Sequence, residues 1–565
     1  MKENTNRKPS APIRPRAPAV CGLIAALILS LGSEAHADSV RVQPIALERG
    51  TAQEILVQED GASRANELWT SFGGEAARVR KEDDASKPGE ARFQLRVGSG
   101  ARLGVGAMRL VGSNYLSGIH WVFIDDLPVR ADLPTAHDES NAPTITLPIG
   151  IEGRASPGVP DVYRFQGRKD QVLSLDALGR RLDSRLSPVI QVFSSDNQDL
   201  AYSNHDPSLG GDARVSIRLP RDDVYSIRIA DLYNKGGADR GYYLRVGGFP
   251  IVDSAYPLVV TKGGSATPVA LDSMLRRSFP LQVSGIPAPG GRTNVPVKDG
   301  GPGFTLARVM ISDLPEVSET EDNQPAARAN QIKWPTGISG RFDRRGDVDW
   351  FRFHVEKGES LSFRAFSKTL GSPADVLLRL HRMDGSKLIE LNVNNDTDPV
   401  MSQTFAEGGD YLLRVWESTG LGGSNFNYRV EITPHAPGFK LQTALEHLVA
   451  VSNQTVTLKI TADRKGGYAG PIRIFAEGRS PVKLANDIIR TDQKETDLSI
   501  SLGDPELAGK LVMLRLKGST ADTNAPAFEA PVSTRGAPML KRMGPYLMPR
   551  EFDGDIALLF PLEPK

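Results

Sequence analysis

Glu319, Glu321, Asp322 and Asn323 precede a strand-like stretch, and Asp343, Asp347 and Asp349 follow in the next turn. Hard oxygen donors from two adjacent segments are what Ca²⁺ needs, since it gathers six to eight oxygens. The same residues also suit a solvated linker, with Asp347 and Asp349 as turn formers. A weaker version stands earlier in the chain, with Asp138, Glu139 and Asn141 but only Asp161 beside the strand. A second acidic turn, Asn394-Asn395-Asp396-Thr397-Asp398, fits an ion or an ordinary turn.

Other chemistry lacks its residues. The histidines at 36, 120, 137, 205, 354, 381, 435 and 447 contain no pair at zinc-peptidase spacing. There is no G-x-S-x-G nucleophile elbow, no phosphate-binding loop and no dinucleotide fingerprint. The single cysteine, Cys21, lies in the leader. The expectation is a protein that is not an enzyme. Trp334, Trp350 and Trp416 are the candidates for contact with an extracellular polysaccharide or protein, because flat aromatic faces serve such ligands. Trp350 and Arg352 alternate with Phe351 and Phe353, so one side of that strand is open to a ligand unless the tryptophans fill a core. Tyr225 and Tyr411, each opening a strand pattern, are expected in the core.

The elements that would hold these residues are strands. Gly346-Asp347-Val348-Asp349-Trp350-Phe351-Arg352-Phe353 is an acidic turn running into period-2 alternation, and Asp161-Val162-Tyr163-Arg164-Phe165 is a shorter cousin. Residues 92–97 alternate with Phe93, Leu95 and Val97 on one face, and residues 62–72 are the one stretch suited to a short helix. Fifty-five glycines, forty prolines and scarce helical periodicity indicate an all-β, loop-rich, multidomain chain. A net charge of zero excludes the basic footprint of a nucleic-acid binder.

Address is read from the first residues. Lys2, Arg7, Lys8, Arg14 and Arg16 precede an apolar run from Cys21 to Leu31 and then Ala35-His36-Ala37, the pattern of a secretory signal peptide over 1–37. No later apolar run reaches transmembrane length. The expected location is secreted, periplasmic or cell-surface, in a Gram-negative-type bacterium.

The chain also repeats itself. Asp126 recurs as Asp313 and Ile151 as Ile338, both at an offset of 187. Phe165 recurs as Phe353, Tyr225 as Tyr411 and Tyr243 as Tyr428, at offsets of 188, 186 and 185. This predicts a duplicated two-domain unit. The expected division is an immunoglobulin-like sandwich over 38–128, a repeated module over 137–249, and a short immunoglobulin-like domain over 250–314. The second copy of the module over 319–434 follows, then an immunoglobulin or fibronectin III-like sandwich over 437–534. The remainder, 535–565, is a tail that either packs back as a strand or stays loose.

Ile338-Ser339-Gly340-Arg341, the stretch 346–353, residues 358–363 and 370–375, Asp384-Gly385, Asn394-Asn395-Asp396 and residues 409–415 follow one another in an order that resembles the bacterial pre-peptidase C-terminal domain. The first copy follows with Leu186-Ser187-Pro188, Asn204, Asp206 and residues 223–229. The alternation with immunoglobulin-like domains is similar to that of large secreted proteins of planctomycete-type bacteria. The resemblance implies a non-catalytic, jelly-roll-like β-sandwich, often appended to secreted peptidases. It also implies a calcium site from an acidic linker and the aspartate turn: Glu319, Glu321, Asn323, Asp343 and Asp347. The resulting expectation is an all-β tandem array of jelly-roll-like and immunoglobulin-like β-sandwich domains, extended in space, with a binding or structural role at the bacterial surface or in the periplasm. The alternative role is an accessory that binds the substrate of a secreted peptidase or polysaccharide hydrolase.

Overall fold

The computed structural model describes residues 41–79, 89–206, 209–261, 267–283, 291–391, 398–450, 455–478, 481–522, 526–537 and 549–561. The signal peptide expected over 1–37 lies outside them. Among the described residues every regular element is a strand or a short 3-10 turn, and the strands form separate sheets in a tandem β-sandwich array.

The first sandwich packs a sheet of Arg41–Gln43, Ala52–Gln58, Glu90–Val97 and Gly74–Val79 on a sheet of Ala46–Glu48, His120–Asp125, Gly104–Gly112 and Ala65–Thr70. Phe93, Leu95 and Val97 point into its core as their alternation requires. The helix expected over 62–72 does not form. A 3-10 turn at Ala62–Arg64 leads straight into the strand Ala65–Thr70, which pairs with Gly104–Gly112. Burial of Ala65 and Leu68 against that partner outweighs local helical propensity.

Two further sheet pairs share one strand order. In the first, Ala213–Arg218, Val172–Leu178, Gly241–Gly247, Ile149–Arg154 and Val129–Ala131 face Asp161–Gly167, Asp223–Asp231, Pro188–Phe193 and Asp199–Asn204. In the second, Val400–Thr404, Ser360–Phe366, Asn427–Pro434, Thr336–Arg341 and Glu316–Ser318 face Asn330–Gln331, Val348–Val355, Gly409–Glu417, Val376–Arg382 and Lys387–Leu391. Phe351, Phe353 and Val355 form one buried row of the second core. Tyr225 and Tyr411 are buried, and each hydroxyl donates to a carbonyl four residues upstream, Arg221 at 2.7 Å and Glu407 at 2.9 Å. Register corrects one anchor of the repeat. Tyr242 pairs with Gly153 as Tyr428 pairs with Gly340, so Tyr242 rather than Tyr243 corresponds to Tyr428.

Between these pairs lies a smaller sandwich of two three-stranded sheets. The last sandwich has an eight-stranded sheet and a three-stranded sheet of His447–Val449, Ile556–Leu559 and Leu511–Leu514. Within the final stretch of the chain, Ile556–Leu559 is thus a paired strand.

The array is not extended. Ala557 and Leu559 join Val111 and Leu116 of the first sandwich in one buried cluster. Trp121 and Phe552 meet edge to face at 5.1 Å. Arg109 is 1% exposed and forms a buried ion pair with Glu446, 337 residues away. Apolar surface left on the first and last sandwiches is removed from water by their contact, and that outweighs the freedom of an open chain.

A second junction gathers three sandwiches around Arg245. Its guanidinium lies 5.2 Å from the Phe123 ring, 4.6 Å from Phe249 and 4.7 Å from Phe304. Asp125 and Asp176 neutralise it at 2.6 and 3.3 Å. A buried arginine requires both carboxylate partners and ring faces to offset its lost hydration.

Candidate metal centre

The acidic linker leaves the edge strand Glu316–Ser318 and crosses to Asn330–Gln331 on the opposite sheet. It is anchored where it starts, since the Glu319 amide donates to the Ser339 carbonyl at 2.9 Å. The Glu319 carboxylate turns inward and accepts from the Arg341 amide at 2.6 Å and the Tyr428 hydroxyl at 3.0 Å. Tyr428 also donates to Asp349 Oδ2 at 2.6 Å. Room for this ring comes from Gly340, where a Cβ would stand 2.2 Å from Tyr428 and 2.5 Å from Glu319 Oε2.

Glu319, Glu321 and Asp349 each offer a carboxylate oxygen, and the three oxygens lie within 4.8 Å of one another. Asp349 is fully buried, and its Oδ1 accepts no hydrogen bond. Asn323 is also fully buried. Its amide nitrogen reaches Asn330 Oδ1 at 3.5 Å, while its own Oδ1 has no partner. A buried acceptor without a donor costs about 1–3 kcal/mol. One such acceptor is an oxygen of the three carboxylates themselves and the other is on Asn323, whose backbone amide donates to Glu321 Oε2 at 3.3 Å, an arrangement that a cation would satisfy.

The electrostatics agree. Burial raises the Asp349 carboxyl well above its ordinary value, and the charge of Glu319 adds to the effect. Burial raises Glu319 as well, with the charges of Glu321 and Asp343 behind it. Glu321 is raised by burial and by Asp347. The neighbouring arginines are engaged on other acids: Arg341 on Asp343, and Arg328 on Asp322 at 2.9 Å. An all-oxygen donor set of this kind fits a hard divalent cation such as Ca²⁺.

Of the five residues expected as ligands, the structure brings Glu319 and Glu321 together and leaves Asn323 as a buried residue with an unpartnered Oδ1, its backbone amide donating to Glu321 Oε2 at 3.3 Å. Asp343 and Asp347 are not part of the cluster. The Asp343 carboxylate pairs with Arg341. Asp347 closes its own turn, accepting from Gln324 Nε2 and, at 2.7 Å, from the Asp343 amide. Asp349, part of the acidic constellation but outside the five expected ligands, is the third acid of the cluster. Its signal was the alternation itself, because Asp349 shares the inward face with Phe351 and Phe353.

In the first pair, Asp138 caps a 3-10 turn through the Ser140 amide at 3.0 Å, and Glu139 pairs with Arg228. Asn141 closes the same turn, its amide donating to the Asp138 carbonyl at 3.1 Å. Residues 394–397 of the second acidic turn lie outside the described residues. Asp398 is a structural cap that accepts from the Ser367 and Lys368 amides, each at 3.1 Å.

Trp350 and Trp416 alternate with the buried residues of their strands, whereas Trp334 packs against the second core. Trp334 donates its indole N–H to the His354 carbonyl at 2.7 Å. Trp350 and Trp416 are half-buried, and the Arg414 guanidinium lies 5.8 and 4.6 Å from their rings. Arg379 adds a contact to Trp416 at 5.1 Å and pairs with Glu390 at 2.6 Å. Arg414 has no carboxylate within ion-pair distance among the described residues. Among the described residues no helix is long and apolar enough to cross a membrane.

No family model matches the chain, and no curated protein matches it. Solved structures give local likenesses. The pre-peptidase C-terminal domain of a collagenase from Bacillus anthracis is 16% identical over 21% of this chain and 96% of that domain, with a TM-score of 0.16. PliG of Aeromonas hydrophila, a periplasmic inhibitor of g-type lysozyme, is 13% identical over 21% of this chain and 97% of its own, with a TM-score of 0.14. The N-terminal four immunoglobulin domains of Dscam1 isoform 4.4 are 9% identical over 86% of this chain and 96% of theirs, with a TM-score of 0.15.

Proposed function

We propose that this chain is an exported, non-catalytic binding and structural protein built on two pre-peptidase C-terminal-type modules, the second clamped by Ca²⁺. The carrying observation is the cluster of Glu319, Glu321 and Asp349 with the unpartnered Asn323 Oδ1. A cation there would tie the linker to the strand Val348–Val355. Glu319, Glu321, Asp349 and Asn323 would supply the oxygens, and the Tyr428 hydroxyl would orient two of the carboxylates. Glu316, just upstream on the edge strand, already pairs with the buried Arg429, so the clamp extends a connection the fold begins.

Calorimetric titration of the untagged protein with Ca²⁺ tests this reading. At a hundred times the dissociation constant, bound Ca²⁺ should add about 2.7 kcal/mol of stability. Glu321→Gln should remove both the heat and the gain. No heat of binding and no thermal shift in the unaltered protein would end the calcium reading.

A second reading, as an accessory that holds a polymer for a secreted peptidase or polysaccharide hydrolase, is favoured by the Trp350–Arg414–Trp416 face. Indole rings stack on sugar or peptide planes, and an arginine without a carboxylate partner suits an acidic polymer. Glycan arrays and pull-downs with Trp416→Ala as the control separate the two. Retention on an acidic polysaccharide that is lost in the variant supports the accessory role.

A further inference from the structure

The first of the two alike sheet pairs carries a related cluster at the same place, with a histidine in it. Backbone pairing fixes the correspondence. The Asp132 amide donates to the Glu152 carbonyl at 2.7 Å, as Glu319 does to Ser339 at 2.9 Å. At the other end Thr144 bridges to Arg164, as Gln331 pairs with Arg352. The linkers 132–144 and 319–331 are therefore equal in length and align without a gap. Asp132 falls on Glu319, His137 on Gln324 and Ala136 on Asn323. The last two are both fully buried, which supports the alignment independently.

The aspartate at the centre is kept as well. Tyr242 donates to Asp161 Oδ2 at 2.6 Å, as Tyr428 does to Asp349 at 2.6 Å. Both aspartates are fully buried, and in both the Oδ1 atom accepts no hydrogen bond of acceptable geometry. In the first pair that atom faces Nδ1 of His137. The donor atoms of Asp132, His137 and Asp161 lie within 4.8 Å of one another.

We propose that Asp132, His137 and Asp161 form a site for a divalent transition-metal ion of the zinc class. Ca²⁺ needs many oxygens, and this copy has Pro134 and Ala136 where the other has Glu321 and Asn323. Exchange of oxygens for one imidazole moves the preference toward Zn²⁺ and its neighbours. Three protein donors leave a position open, and the His137 ring, 37% exposed, puts that position beside solvent. The surrounding hydroxyls suit the role of outer partners that orient the acids. Tyr163 donates to Asp132 at 2.7 Å and is itself within 2.7 Å of the Tyr242 hydroxyl. His137 ends the 3-10 turn Pro134–His137, so the backbone presents the ring. The competing occupant of the gap is a proton shared between His137 and Asp161.

Co²⁺ is the probe, because its visible spectrum reports nitrogen and oxygen ligation in a site of low coordination number. Untagged protein should bind one equivalent of Co²⁺ with visible bands that Zn²⁺ displaces, and Zn²⁺ should raise the melting temperature. His137→Gln places at this position the residue type that the other copy uses there. It should abolish the bands while leaving far-ultraviolet circular dichroism and the Ca²⁺ response unchanged. Glu321→Gln should do the reverse, so the two sites fail separately. Absence of Co²⁺ bands in the unaltered protein overturns the proposal in favour of the proton-shared pair. Bands that persist in His137→Gln overturn it by placing the metal elsewhere.

Discussion

Asp349 decides the chemistry of the second sheet pair. It lies inside because the pleat puts every second residue of Val348–Val355 on the core face, and among the described residues it has no ion-pair partner. Without a cation, Glu319, Glu321 and Asp349 all hold protons more tightly than they would in the unfolded chain. The folded state then binds more protons, so stability must fall as pH rises above the ordinary carboxylate values of 3.8 and 4.5 and through the raised ones. In chelator the melting temperature should therefore drop between pH 5 and pH 9. Saturating Ca²⁺ should flatten that slope, because the ion replaces the protons. Scanning calorimetry at both pH values, with and without Ca²⁺, checks this, and equal slopes in the two conditions would sink it. Tyr428→Phe should cost about 1–3 kcal/mol in urea unfolding, since two buried carboxylates lose a donor. Glu319, Glu321 and Asn323 were legible in the sequence as a dense run of oxygen donors. Asp349 was hidden by its neighbour Asp347, since both are ordinary turn residues and only three-dimensional placement separates a turn-closing carboxylate from an inward one.

Strand alternation carried most of what could be read about the elements. Phe93, Leu95 and Val97, and likewise Phe351 and Phe353, are buried as their spacing demands. Two readings went astray for one reason: pairing between distant strands leaves little local trace. Residues 62–72 have no strong strand pattern, but the pairing of Leu68 with Leu110 makes a strand of Ala65–Thr70. Tyr242 and Tyr243 are adjacent and chemically equal, so only register tells which one lies opposite the glycine. That glycine is itself a testable element feature. Gly340→Ala would drive a Cβ to 2.2 Å from the Tyr428 ring. It should destabilise by about 1–3 kcal/mol and weaken Ca²⁺ binding in the same titration. Gly153→Ala, with a Cβ 2.3 Å from Tyr242, should destabilise similarly without touching the Ca²⁺ response. Equal loss of Ca²⁺ binding in both variants would show that the effect is general unfolding.

Among the described residues the first sandwich is fastened to the last, a contact that left no mark in the sequence. A contact such as Arg109 with Glu446 has no period, spacing or composition that a reading of neighbours could detect. Glu446 also accepts from His447 at 2.8 Å, and its backbone carbonyl takes the Ala557 amide at 2.9 Å, so one residue fixes strand, tail and first sandwich together. Glu446→Ala should cost about 3–5 kcal/mol, because Arg109 would be left buried and unpaired. Small-angle scattering should show a larger radius of gyration in that variant, whereas an unchanged radius would mean the apolar cluster alone holds the ends. The same fastening dictates an order of events in biogenesis. During synthesis the first sandwich precedes its partners: Arg109 waits for Glu446, 337 residues later, and Val111 and Leu116 wait for Ala557 and Leu559. Its early exposure is therefore a window for chaperone binding, and protease resistance of the first sandwich should appear only when a chain reaching Leu559 has been released. In pulse-labelled expression, chains stopped before Ile556 should be degraded faster than chains that carry Ile556–Leu559, and equal rates would show that the first sandwich does not depend on that strand.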